Sequence, residues 1–182
     1  MDPIDNIIQG CLKGDRKSQE RLYKMFSNRM FGLCLQYANN YDDACDILQD
    51  GFIKVFRKME QFTGKGSFEG WVRRIMINTA LERYRSHLHL YPLTENTITK
   101  DEFVYDEVFE KISADELVKL VQKLPPRYRM VFNMYAIEGY THKEIAETMG
   151  ITVGTSKSNL SRARDILQRK VKQEFDSSEN IS

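Results

Sequence analysis

Between Thr141 and Val171 the chain carries two segments of helical period separated by one glycine, and this pattern restricts the fold more than any other feature. Thr141-His142-Lys143-Glu144 is a capping box, in which a hydroxyl and a carboxylate three residues apart satisfy the free amides of a helix start. The helix it opens holds Ile145, Ala146 and Met149 and stops at Gly150, a residue suited to the left-handed conformation of a tight turn. Ile151 and Thr152 lead into a second helix, with Val153, Leu160, Ala163, Leu167 and Val171 expected to face inward. Small Ala146 lets the two helices approach closely. The pattern is that of a helix-turn-helix, whose second helix offers its outer face to a DNA major groove.

That outer face is expected to carry Lys157, Ser158, Asn159, Ser161 and Arg162, cations that reach phosphates beside groups that read base edges. A solvated basic face or an ordinary helical hairpin is the alternative for the basic residues alone. Ser156 is irregular, because it stands where such a helix buries an aliphatic side chain.

The rest of the chain is also helical in period, with no sustained strand-like alternation. Helices are expected over Ile4 to Leu12, from an Asp15 cap through Leu22, Phe26, Met30, Leu33 and Tyr37, and from Asp42 or Asp43 through Ile47 or Leu48, Phe52, Val55, Phe56 and Met59. A glycine-bearing loop, Thr63 to Ser67, precedes a helix from about Phe68 to Arg85 that buries Trp71, Val72, Ile75, Met76 and Thr79. Trp71 could instead stack on a base. From His87 to Ile112 the pattern fades into an acidic stretch, an expected linker that reaches ~80 Å when extended. A second capping box, Ser113 to Glu116, restarts the helices, and Pro125-Pro126 opens another with Met130, Val131, Met134 and Tyr135 on its inner face. The expected fold class is all-α, with two small helical domains joined by a flexible acidic linker.

Net charge is only +1, but it is segregated: Glu95 to Glu116 is acidic and Lys157 to Lys172 basic. Cys11, Cys34 and Cys45 form no CxxC pair and lie far in sequence from His87, His89 and His142, so reduced core thiols are expected, with no disulfide framework and no metal site. HExxH, P-loop, GxSxG and GxGxxG motifs are absent, and His142-Lys143-Glu144 lacks the downstream PCxxC of a zinc deaminase. The chain therefore reads as neither an enzyme nor a cofactor or small-molecule binder. Without a membrane-length apolar run or a signal pattern, it is expected in the cytoplasm, with no membrane insertion.

In the first half, Asp46 and Asp50 fall one turn apart beside Gln49, opposite the apolar stripe, and such a patch suits a basic partner helix. The local alternative pairs them with Lys54 or Arg57. Arg74, Asn78 and Arg85 share a side of the next helix beside the glycine loop, which fits a splayed single strand.

The segments Leu124 to Phe132, Glu138 to Ala146 and Gly154 to Arg164 together resemble the promoter −35-binding domain of sigma factors, in the order and spacing of the extracytoplasmic-function (ECF) group. Asp43 to Phe56 resembles that family's polymerase-binding helix, and Phe62 to Ala80 its −10-recognition loop and helix. The resemblance implies sigma region 2 at residues 1–88, a connector at 89–112, region 4 at 113–176 and a disordered tail at 177–182. It implies polymerase contacts by Asp43, Asp46, Gln49 and Asp50, made to the β′ clamp coiled coil, with the β flap as a second site. It further implies −10 contacts by Thr63, Gly64, Lys65, Ser67, Arg73, Arg74, Asn78 and Arg85, and −35 contacts by Thr155, Lys157, Ser158, Asn159, Ser161, Arg162 and Arg164. Promoter DNA and an anti-sigma factor are the other implied partners. A stand-alone helix-turn-helix regulator is the competing reading, and it leaves the acidic helix and glycine loop unexplained.

Overall fold

The structure, a computed structural model, describes residues 3–90 and 113–179, and every regular element among them is helical. The linker expected at 89–112 falls almost wholly outside the described residues, as do the last three residues of the tail. Two compact units emerge, Met1–Arg83 and Tyr84–Ser182.

The first unit contains α1 (Pro3–Leu12), α2 (Arg16–Tyr37), α3 (Tyr41–Arg57), a 3-10 turn at Met59–Gln61 and most of α4 (Phe68–Leu90). Local chemistry sets the boundaries. Gly14 takes φ 74°, which ends the α1 turn, and Asp15 accepts from the Ser18 amide at 2.9 Å to start α2. Asn40 caps α3 by accepting from the Asp43 amide at 2.8 Å, so the helix opens slightly earlier than Asp42. The α2 stripe Leu22, Phe26, Met30, Leu33 and Tyr37 is buried as a set, against Ala44, Ile47, Leu48, Phe52 and Val55 of α3 and Val72, Ile75, Met76 and Thr79 of α4. Gly51 lies inside α3 because a Cβ there would sit 2.1 Å from Met76 Sδ.

In the second unit, α5 (Ala114–Gln122), α6 (Pro126–Phe132), α7 (His142–Met149) and α8 (Val153–Glu179) surround a core of Leu120, Val121, Leu124, Met130, Val131, Met134, Ile145, Leu160, Ala163, Leu167 and Val171. Both capping boxes form as reciprocal pairs. A π-helical turn, Asn133–Ile137, extends α6. The wider π turn shifts the side-chain phase, so Tyr135, expected on the inner face, is exposed while Met134 stays buried. The final helix also continues through 177–179, part of the expected tail. No Pro or Gly interrupts that stretch, and each added residue contributes one more backbone hydrogen bond.

Cys11 and Cys34 are buried and Cys45 half-buried, all as free thiols. Burial pushes the Cys34 thiol up to about 12, which removes its thiolate reactivity at neutral pH. Among the described residues no helix is long and apolar enough to cross a membrane.

Candidate functional site

Three surfaces collect the residues singled out by sequence. The first is the outer face of α3. Asp46, Gln49 and Asp50 are exposed there, at the one-turn spacing that their positions dictate. Asp43 is different. Its Oδ2 accepts from the Asn39 amide at 3.0 Å and from Asn39 Nδ2 at 3.2 Å, and its Oδ1 accepts from Arg83 Nε at 2.6 Å. Both oxygens thus hold the protein's own structure. Arg83, absent from the sequence reading, also donates through Nη2 to Asp46 at 2.6 Å and lies 3.9 Å from Asp50 through Nη1. Neither carboxylate takes Lys54 in a short ion pair, because Lys54 pairs with Glu82 of α4. The local alternative is corrected accordingly: the counter-ion comes across from α4.

The second surface is the Thr63–Ser67 loop and the exposed side of α4. Phe62 before the loop meets Phe68 after it, with ring centroids 5.1 Å apart, and Trp71 packs on both rings at 5.6 and 5.5 Å. Phe26 of α2 adds a fourth ring at 5.7 Å from Phe68. This cluster fixes the two ends of the loop while Thr63, Gly64, Lys65, Gly66 and Ser67 stand exposed. Gly64 and Gly66 adopt φ 74° and 85°, the left-handed region that side chains resist. Ser67 Oγ accepts from the Gly70 amide at 3.0 Å, so that side chain also caps α4. Trp71 is only half-buried, neither a fully buried core residue nor a freely presented stacking platform. Arg74, Asn78 and Arg85 are exposed, and Arg73 is partly covered.

The third surface is α8 in the helix-turn-helix. Gly150 takes φ 68° and its N–H donates to Ala146 O, as the turn requires. Thr155, Lys157 and Ser158 are exposed, with Ser161, Arg162 and Arg164 half-exposed. Asn159 departs from the expected outer-face position: it is 4% exposed. Val153 is 41% exposed instead of inward, because it stands at the first position of α8, where the helix starts. Ser156 takes the inward place at 0% exposure, and its hydroxyl lies 3.0 Å from Nδ1 of His142. The imidazole stacks on Tyr135 at 4.5 Å, and the Arg164 guanidinium lies 5.8 Å from that ring's centroid. Burial, and then the positive charges of Lys157 and Arg164, hold the His142 imidazole below its ordinary pKa.

An acidic helix face, a glycine loop with an exposed cationic helix, and a helix-turn-helix with exposed cations and hydroxyls can bind, respectively, a basic protein helix, single-stranded nucleic acid and duplex DNA. Comparison with known proteins agrees in both halves. Residues 22–88 match the family described as Sigma-70 region 2, and residues 114–167 the one described as Sigma-70, region 4. The ECF RNA polymerase sigma-E factor of Haemophilus influenzae is 28% identical over 178 residues, covering 91% of this chain and 93% of its own. The RNA polymerase sigma-H factor of Pseudomonas aeruginosa is 26% identical over 175 residues, covering 90% and 91%. Among solved structures, the sigma factor RpoE of Bartonella quintana, in complex with the anti-sigma factor NepR, shares the fold with a TM-score of 0.54 at 19% identity, over 84% of this chain and 96% of that one.

Proposed function

Since the chain belongs to the extracytoplasmic-function group of sigma factors, non-enzymatic initiation factors that direct RNA polymerase to promoters, we propose how its three surfaces divide that work. The outer face of α3 docks on the β′ clamp helices of core polymerase through Asp46, Gln49 and Asp50. Asp43 serves that face indirectly, by holding the start of α3 through Asn39.

The Gly64 loop and the exposed side of α4 then hold the −10 strand. Extruding a base costs a few kcal/mol, and a loop with firmly fixed ends offsets this with little further loss of entropy. Thr63, Lys65, Ser67, Arg74, Asn78 and Arg85 are the side chains exposed for phosphate and base contacts there, with the partly covered Arg73 beside them. The −35 duplex is read by Thr155, Lys157 and Ser158, and by the partly exposed Ser161, Arg162 and Arg164 near the start of α8. Asn159 is left out of that set. The protein works in the cytoplasm, alongside polymerase, under the control of an anti-sigma factor.

The observation that carries this reading is the coexistence, in one unit, of an exposed acid–amide face on α3 and an exposed cation–amide face on α4. A stand-alone DNA-binding regulator has no use for the first. Run-off transcription with purified core polymerase tests it. Promoter-specific transcripts are expected with the protein, and their loss in Asp46→Ala/Asp50→Ala. If neither transcripts nor core binding depend on those carboxylates, the assignment of α3 as the docking helix is wrong.

A further inference from the structure

The guanidinium of Arg83 lies across the face that the proposed docking requires. It bonds the half-exposed Asp46 at 2.6 Å and reaches to 3.9 Å from the half-exposed Asp50, while its Nε is anchored on Asp43, whose side chain is only 14% exposed. A basic side chain from polymerase therefore meets a carboxylate that already has a cation. We propose that Arg83 is an internal competitor for the polymerase's cation, one that occupies Asp46 in the free protein and is displaced from it on docking. This rests on the reading of α3 as the docking helix.

Two effects could follow from losing Arg83, and their sizes decide between them. Arg83 could organise the face, in which case its loss would weaken docking. But Asp43 keeps its two bonds from Asn39 and its place in the first turn of α3, where the helix dipole favours an anion. The α3 face therefore keeps its shape without Arg83. Asp46, by contrast, is an exposed partner in a surface ion pair, and exchange of such a pair is shallow. Removing the competitor frees Asp46 and makes the three-carboxylate face more negative by one charge. That also speeds encounter with a basic partner at low salt. Both consequences tighten binding.

The test is equilibrium binding of the full chain, fluorescently labelled, to core RNA polymerase at low and high salt. Wild type is compared with Arg83→Gln, Arg83→Lys, Asp46→Ala/Asp50→Ala and Arg83→Gln/Asp46→Ala. Arg83→Gln is expected to tighten binding by roughly three- to fivefold at low salt, a gain that shrinks as salt rises, while Arg83→Lys stays near wild type. Asp46→Ala is expected to abolish that gain. Should Arg83→Gln unfold, Arg83→Met, which keeps the apolar stem and removes the charge, takes its place and is expected to show the same tightening. Loss of stability cannot itself produce tighter binding, so the direction of change separates competition from a structural role. Unchanged or weaker binding in Arg83→Gln, or tightening that survives Asp46→Ala, overturns the proposal. If Asp46→Ala/Asp50→Ala also binds like wild type, the docking reading falls with it. If that variant binds weakly, only the role of Arg83 falls.

Discussion

Ser156 and His142 form a polar bridge across the helix-turn-helix, with the hydroxyl 3.0 Å from the imidazole Nδ1 and the serine fully buried. In the Nε2–H tautomer the hydroxyl donates to Nδ1. The irregular residue of the sequence is therefore a satisfied one: a hydrogen bond and the Tyr135 stack replace the apolar contact that an aliphatic side chain would make. Ser156→Ala leaves the imidazole nitrogen without that partner and is expected to destabilise the second unit by ~1 kcal/mol. Thermal unfolding of the full chain, followed by circular dichroism, measures it. A midpoint equal to wild type would mean that the bridge adds nothing.

The same histidine gives the second unit a pH dependence with a definite sign. Its folded pKa lies below the ordinary 6.5, so as pH falls through that value the unfolded chain takes up a proton before the folded one does. The contribution is complete above pH 6.5 and is lost as pH falls towards the folded pKa. Between pH 7.5 and 5.5 the wild type should lose more stability than His142→Gln, in urea titrations at each pH. Equal losses would remove His142 as the cause.

Lys157 and Asn159 are two residues apart on α8 and are expected to behave oppositely. Lys157→Ala should weaken −35 binding uniformly across sequences and lower the salt slope by about 0.9. Asn159→Ala should lower thermal stability and leave base preference intact, because the side chain is covered. Binding to a panel of single-base −35 variants, at several salt concentrations, checks both. A changed base preference in Asn159→Ala would return that residue to the reading face.

Gly51 of α3 leaves room for the Met76 side chain of α4. An alanine there would place its Cβ 2.1 Å from Met76 Sδ, and overpacking of this kind costs about 1–3 kcal/mol although alanine is the better helix former. Gly51→Ala should therefore lower the unfolding midpoint, and Met76→Ala should cost less in that background than in the wild type. Purely additive effects would argue against the contact.

What the sequence by itself determined is whatever is encoded within a few neighbouring residues. Thr141 with Glu144, Ser113 with Glu116, and Asp15 with Ser18 are partners three positions apart, so the helix starts were legible. So was the α2 stripe, which the helical period alone places on one face. The helix-turn-helix face was legible from such local segments too, and the family resemblance, which rests on them, pointed to roles for the other two surfaces. The tertiary structure decided the rest. Arg83 meets Asp43 from 40 residues away, and no spacing rule links residues on two helices whose crossing is unknown. Helical period also leaves open where an inward stripe ends. Asn159, Val153 and Tyr135 all stood near such an edge, and the seating of α8 and one π turn settled the side each took. Helical period is a property of the backbone's own geometry, whereas the phase of one helix against another is fixed only by the side chains that meet there.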